Sequence, residues 1–244
     1  MLDARKIVGA VVVLLLACVI GACGKSGSSS SEMEAWVEAN GGNVHDISAA
    51  VSSGGALVHR AAADGRVDVL AWLKDRGADI NARNIIGGTP MYVAAVHGQV
   101  DAMKWLKEQG ADVNTEDRMD GTLMHAAAMG GQVAAMEWLK DQGVDMNAKD
   151  KYGVTPMYQA AQFDLDGNMD AMKWLKAQGA DVNARDKWGR TPMHQAASNG
   201  CVKVMAWLKE HGADINAKTD AGETPLTVAN TDEAKAWLRA NGAE

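Results

Sequence analysis

The sequence predicts an all-α solenoid, a stack of copied helix–turn–helix units, on two observations. Seven of the eight tryptophans recur at one position (Trp36, Trp72, Trp105, Trp138, Trp174, Trp207 and Trp237), and from Trp72 onward they are 33, 33, 36, 33 and 30 residues apart. Between them the same punctuation returns: a threonine, usually with proline, ahead of a short apolar run, and a glycine behind a second one. A period of this length marks one supersecondary unit copied along the chain. Such a unit cannot bury its apolar side alone, so the copies must pack on their neighbours.

The copy from Asn84 to Glu116 shows the parts. Thr89 before Pro90 reads as a helix start, with the hydroxyl capping free amides and proline at the first helical position, where no N–H is needed. The spacing predicts a short helix over Pro90 to Val96 that ends near Gly98, then a second from about Asp101 to Gln109. In the second, Ala102, Met103, Trp105 and Leu106 share one arc, with Lys104, Lys107 and Glu108 opposite. Gly110 stops it by entering the left-handed region without penalty, and Ala-Asp-Val-Asn leads into an extended turn.

These residues resemble the ankyrin repeat. The family's Thr-Pro-Leu-His-x-Ala-Ala segment reads TPMYVAA (89–95), TLMHAAA (122–128), TPMYQAA (155–161), TPMHQAA (191–197) and, degraded, TPLTVAN (224–230). Its Gly-Ala-Asp-Val-Asn segment recurs at Gly77, Gly110, Gly179 and Gly212, and as GVDMN from Gly143. The resemblance covers roughly residues 32–244. It implies helix–turn–helix units with projecting β-hairpin fingers, stacked into a curve with a concave recognition face.

The departures divide the domain. Copy 1 has Ala56 and Leu57 where Thr-Pro belongs, Leu123 replaces proline in copy 3, and copy 4 carries three extra residues around Asp164–Asn168. The second helices carry tryptophan at one leucine position of the family and lysine at another. We read a partial cap over 32–51, full copies over about 52–83, 84–116, 117–149, 150–185 and 186–218, and a truncated cap over 219–244. Atypical end copies are expected, since each faces water on one side. The seven periodic tryptophans read as core, part of each indole still meeting solvent, in preference to an exposed ladder for a sugar or cofactor. His59, His125 and His194 alternate with Tyr92 and Tyr158 at one motif position, an exchange that a catalytic or metal site would not tolerate; they read as structural hydrogen-bonding residues.

The N-terminus is another kind of sequence. Arg5 and Lys6 precede an apolar run from Ile7 to Ala22, then Cys23 and GKSGSSSS, the parts of a secretory signal. Ile20-Gly21-Ala22-Cys23 resembles a bacterial lipobox, and this implies a signal peptide over 1–22, lipidation at Cys23 and a Gly/Ser tether over 23–31. Leu15-Leu16-Ala17-Cys18 is a weaker match, and an uncleaved membrane helix is the plainer alternative, although the run is short for a span. Gly24 stands where aspartate would signal inner-membrane retention. The expectation is therefore a protein lipid-anchored in the bacterial cell envelope, in the outer membrane facing the periplasm if the host is Gram-negative. The tether would reach on the order of 15 Å as a coil. With Cys23 acylated and Cys18 removed, Cys201 is the one thiol left, so no internal disulfide can form. The formal charge of −7 argues against nucleic acid or anionic lipid as the main target.

No nucleophile elbow, P-loop, dinucleotide fingerprint, CxxC or HExxH is present in the sequence, and neither enzymatic activity nor a cofactor is expected. Three features escape the repeat. Asp164, Asp166, Asn168 and Asp170 alternate as oxygen ligands for calcium would, but glycine stands fourth in the run and no glutamate stands twelfth, so a polar turn with a helix cap is the better reading. The finger position before the conserved glycine carries Ile86, Met119, Tyr152 and Trp188, with Ile85 adjacent and Lys151, Lys187 and Arg190 flanking. Exposed aromatic anchors are typical binding hot spots, although packing between fingers is the alternative. Phe163, the one phenylalanine, varies with His97 and Asn199 at equivalent places, which suits a contact surface or a local packing role alike.

Together these features give a monomeric, extracytoplasmic module that binds a periplasmic protein presenting acidic groups, as a scaffold or accessory. An immunity-type neutraliser of a toxin or hydrolase would use the same face. A metal-dependent or enzymatic protein is the reading from another class, resting on the acidic insert alone.

Overall fold

The computed structural model describes residues 29–41 and 56–244. The signal segment, Cys23 and most of the tether lie outside them. Thirteen helices stand among the described residues. Helix α1 (Ser30–Ala39) comes alone, then follow the pairs α2 (Ala56–Ala63) and α3 (Val67–Asp75), α4 (Pro90–Val96) and α5 (Val100–Glu108), α6 (Leu123–Met129) and α7 (Val133–Asp141). The stack continues with α8 (Pro156–Ala160) and α9 (Asp166–Ala177), α10 (Pro192–Asn199) and α11 (Val202–Glu210), and α12 (Pro225–Val228) and α13 (Asp232–Ala240). First helices pack on first helices along the stack, and second helices run beside them. The architecture is the expected solenoid.

The helix starts follow the sequence logic. Thr89 and Thr155 accept the N–H of Tyr92 and Tyr158, each at 3.3 Å, and proline occupies the first turn behind both. Helix α1 begins within the segment read as tether, because Ser29 and Glu32 form a reciprocal capping box. The three extra residues of copy 4 are absorbed as an additional turn at the start of α9, which has 12 residues where α3, α5, α7 and α11 have nine. That turn passes tight against copy 3: a Cβ on Gly131 would stand 2.5 Å from the carbonyl carbon of Gly167. Asn168, buried there, donates from Nδ2 to the carbonyls of Ala128 and Met129.

The interior is made by leucine and methionine more than by tryptophan. Leu73, Leu106, Leu139, Leu175, Leu208 and Leu238 form a buried row along the second helices, joined by Met103, Met136, Met172 and Met205. Met91, Met124, Met157 and Met193 do the same along the first helices. Trp72 and Trp207 are buried, while Trp36, Trp105, Trp138, Trp174 and Trp237 are partly buried at the border of the core. An indole is too wide for the closest part of the seam and covers its edge instead. Two carry partners one turn on: the Arg76 guanidinium lies 3.7 Å above the Trp72 ring, and the His211 ring stacks on Trp207 at 4.0 Å.

The lysine in place of the family's leucine has a role the sequence did not disclose. Lys74 donates to Gln109 and Lys107 to Gln142, each in the following copy; Lys140 reaches Gln178 at 2.6 Å, and Lys209 the side chain of Asn241 at 3.0 Å. An exposed polar ladder thus replaces apolar contact along the outer edge of the second helices.

The histidines span copies as well. His125 Nδ1 accepts the Thr122 N–H at 3.2 Å, which fixes the proton on Nε2, and Nε2 donates 3.0 Å to the carbonyl of Val154 in the next finger. His194 repeats this with Thr191 at 3.2 Å and Glu223 at 3.2 Å. Nε2 of His59 pairs with the Gly88 carbonyl at 2.9 Å. Tyr92 makes the equivalent reach to Asp117. At Tyr92 a phenol thus makes the crossing to the next finger that imidazole makes at His125 and His194.

Burial holds His125 and His194 below the ordinary histidine pKa. The folded state therefore keeps them neutral at a pH where the unfolded chain already takes up protons. Their contribution is complete above about pH 6.5 and is lost as the pH falls through the lowered folded values. Urea unfolding at about pH 7.5 and about pH 5.5 tests this: the wild type loses stability on acidification, and His125→Gln/His194→Gln, weaker at the higher pH, loses less between the two. An equal drop in both proteins would refute the assignment.

Candidate protein-binding face on the fingers

Each finger is a five-residue turn closed by its first side chain. Among the described residues there is no strand, and the β-hairpins implied by the resemblance shorten to a single bridge between Glu116 and Thr122. Closure comes instead from an oxygen acceptor. Asn84 Oδ1 accepts the N–H of Ile86 and of Gly88, both at 3.0 Å. Asp117 does the same for Met119 and Gly121, Asp150 for Tyr152 and Val154, and Asp186 for Trp188 and Arg190, all between 2.7 and 2.9 Å. In the last finger Thr219 Oγ1 accepts the N–H of Glu223 at 3.1 Å. A carboxylate taking two backbone amides is a charge-assisted closure of the turn.

The turns are then stitched to each other. The carbonyls of Ile86, Met119, Tyr152 and Trp188 accept the N–H of Arg118, Lys151, Lys187 and Asp220 at 3.0, 2.9, 2.8 and 2.9 Å. Each of these four tip residues thus has its N–H bound within its own finger and its carbonyl bound to the next. The glycine behind the tip permits this approach: Gly87 has φ +82°, and a Cβ there would stand 2.8 Å from the Arg118 nitrogen. Asp120 alone among the described non-glycine residues takes that conformation, with φ +60°.

With their backbones occupied, the tips project their side chains. Ile85, Met119, Tyr152 and Trp188 are 84, 44, 36 and 47 % exposed, against a half-buried Ile86 that packs on the core. Ile86 is therefore the member of the expected row that turns inward, and Ile85 takes its place outside. Tyr152 and Trp188 stack with ring centroids 5.4 Å apart and planes 28° from parallel. The Lys151 ammonium sits 5.2 Å from the Tyr152 centroid, and the Arg190 guanidinium 4.6 Å from that of Trp188. Packing between fingers and exposure to water are thus both present in the one stacked pair.

Arg190 is held in place. Its Nε donates to Asp186 Oδ2 at 2.7 Å, while Oδ1 of the same buried carboxylate closes the turn. The repeated pattern of an acid or amide two residues before the tip could have identified this anchor from sequence. Arg118, exposed on the next finger back, was another omission. Below the fingers, Tyr158 is buried and its phenol is pushed up to about 12, chiefly by loss of hydration.

The other candidates lie elsewhere. Phe163 is half-buried beyond the far end of α8 from the finger, apart from the stacked pair. Of the acidic insert, Asp164 accepts the N–H of Lys203 at 3.3 Å and of Val204 at 3.1 Å, capping α11, and Asp170 pairs with Lys173 at 2.9 Å. Asp166 opens α9 and Asn168 is engaged with copy 3. Asp164, Asn168 and Asp170 thus face different partners, and among the described residues no three His, Cys, Asp or Glu side chains gather as a metal site would need. Cys201 is buried with its Sγ 3.3 Å from the Gln162 carbonyl, and burial pushes its thiol up to about 11, away from the reactive thiolate.

Comparison with known proteins agrees with the geometry. A family model described as ankyrin repeats (3 copies) matches residues 116–186 and 159–244, and a second, ankyrin repeats (many copies), matches 58–106. The crystal structure of the human ASB11 ankyrin repeat domain is similar with a TM-score of 0.62 and 25% identity, over 77% of this chain and 84% of that one. No curated protein matches the chain.

Proposed function

Because the chain belongs to the ankyrin-repeat family, a protein–protein interaction module, we propose that it is a lipid-anchored accessory of the bacterial cell envelope that holds a periplasmic protein through its fingers. The observation that carries the binding face is the exposed stack of Tyr152 on Trp188. Large aromatic side chains on a rigid, water-facing scaffold have little conformational entropy left to lose, which is what makes such residues hot spots. The location rests on the sequence alone: Arg5 and Lys6, the apolar run to Ala22, and Cys23 in a lipobox-like setting. Several acyl chains at one cysteine would anchor stably where a single chain would not. A short tether would then keep the repeat stack close to the membrane surface.

Two outcomes follow. Partner capture from envelope extracts with the wild type and with Tyr152→Ala/Trp188→Ala should lose the specific partner in the double variant, with a melting curve confirming that the variant is folded at the capture temperature, since the pair also bridges copies 4 and 5. Equal recovery by both proteins would show that the fingers are not the face. Metabolic labelling with a fatty acid should mark the wild type and leave Cys23→Ala unlabelled; persistent label would move the anchor to Cys18 or elsewhere.

A further inference from the structure

We propose that the segment recognised by the fingers is a short acidic stretch of the partner protein that also carries an apolar side chain. This rests on the finger reading above and specifies its chemistry. Tyr152 already has Trp188 on its ring and Lys151 above it, and Trp188 has Tyr152 and Arg190. These contacts engage part of the ring faces, the electronegative part of an aromatic, within the protein. An incoming ligand meets ring edges, which are electropositive, and the cations beside them.

The cations are placed to donate outward. Arg190 spends its Nε on Asp186, which fixes the guanidinium plane. Lys187 is exposed and stands in none of the ion pairs among the described residues, and Arg118 is likewise exposed and outside them. In the two fingers that carry the stacked pair, Lys151, Lys187 and Arg190 outnumber Asp150 and Asp186, whose carboxylates turn inward onto backbone amides. One net positive charge therefore remains on these two fingers of a chain whose net charge is −7.

The same facts select among anions. A stacking sugar or nucleobase would compete with these contacts for the rings, and a cationic ligand would meet Lys151, Lys187 and Arg190. A long polyanion such as a nucleic acid, or an anionic membrane, would run past the positive patch onto the acidic remainder, where Glu116, Asp120 and Glu223 are exposed. Met119 and Ile85, exposed beside the patch, add an apolar requirement that a bare anion leaves unmet. A peptide with carboxylates on either side of a large apolar residue satisfies both, with charge setting orientation and arrival rate and the apolar side chain residence.

The test uses the full chain in its cells, with a photo-crosslinking amino acid placed at Met119 in one strain and at Lys187 in another. The crosslinked partner segment is sequenced and made as a fluorescent peptide, alongside a version with its Asp and Glu changed to Asn and Gln. The expected result is a segment with acidic residues flanking an apolar one. The amidated peptide should bind at least about tenfold more weakly, Lys187→Glu should weaken the acidic peptide comparably, and added salt should weaken it further. A crosslink to a neutral or basic segment, to lipid or to nucleic acid, or equal binding of the amidated peptide, overturns the charge assignment and leaves any protein-binding role of the fingers standing. No crosslink at either position overturns the finger reading and this inference together. Lys187→Glu keeps the test valid if Arg190 variants disturb the Asp186-closed turn, because the Lys187 side chain stands in no ion pair among the described residues.

Discussion

The structure depends on one interaction repeated down the stack: a side-chain oxygen at the start of each described finger that closes the turn on its own backbone, taking two N–H groups in the first four and one in the last. Without it, a five-residue turn with few apolar contacts would leave its partly buried amides without a partner. With it, the tip carbonyl is aimed at the next finger and the stitching follows. The histidine or tyrosine of the first helix then reaches the same next finger from below. Helices and fingers are coupled copy to copy through separate bonds, so that neither layer can slip without the other.

That coupling matters most where copy 4 meets copy 5. There α8 is only five residues long and makes sparse contact with α10. Other bonds bridge the junction: Asp164 caps α11 from the preceding copy, Asn199 donates to the Gln162 carbonyl at 2.9 Å, and Tyr152 stacks on Trp188 across the fingers. The three extra residues of copy 4 strengthen its attachment backward, through Gly167 against Gly131 and Asn168 onto copy 3. An insert that resembles a cation loop in sequence is therefore a splice between copies. The aromatic pair has two roles at this place, closing a junction and facing water.

Most of the fold was legible because helix punctuation is local. Thr89-Pro90 and Gly110 state their helix ends within a few residues, and the spacing of the tryptophans states the repeat. The tryptophans themselves were misleading in degree, since hydrophobicity alone cannot say that leucine fills the seam and indole its margin. Ile86 shows the same limit: adjacent isoleucines read alike in sequence, and only the turn geometry sends one in and one out. The cation positions over the rings, the lysine–glutamine ladder and the Asp186–Arg190 clamp all join residues through a turn or across copies, and a single-copy pattern carries no distance. Residues 1–28, on which the proposed location rests, speak only through their sequence.

The central claim is that the aromatic face is preorganised by the closed, stitched fingers. Site-resolved amide hydrogen exchange on the wild-type chain measures this directly. The account predicts that the N–H groups of Lys187, Trp188 and Arg190, bound to Tyr152 and Asp186, exchange slowly, within about tenfold of the helix amides of α10. Exchange of those three at the rate of free peptide, with α10 still protected, would show fingers that open on their own and would contradict it.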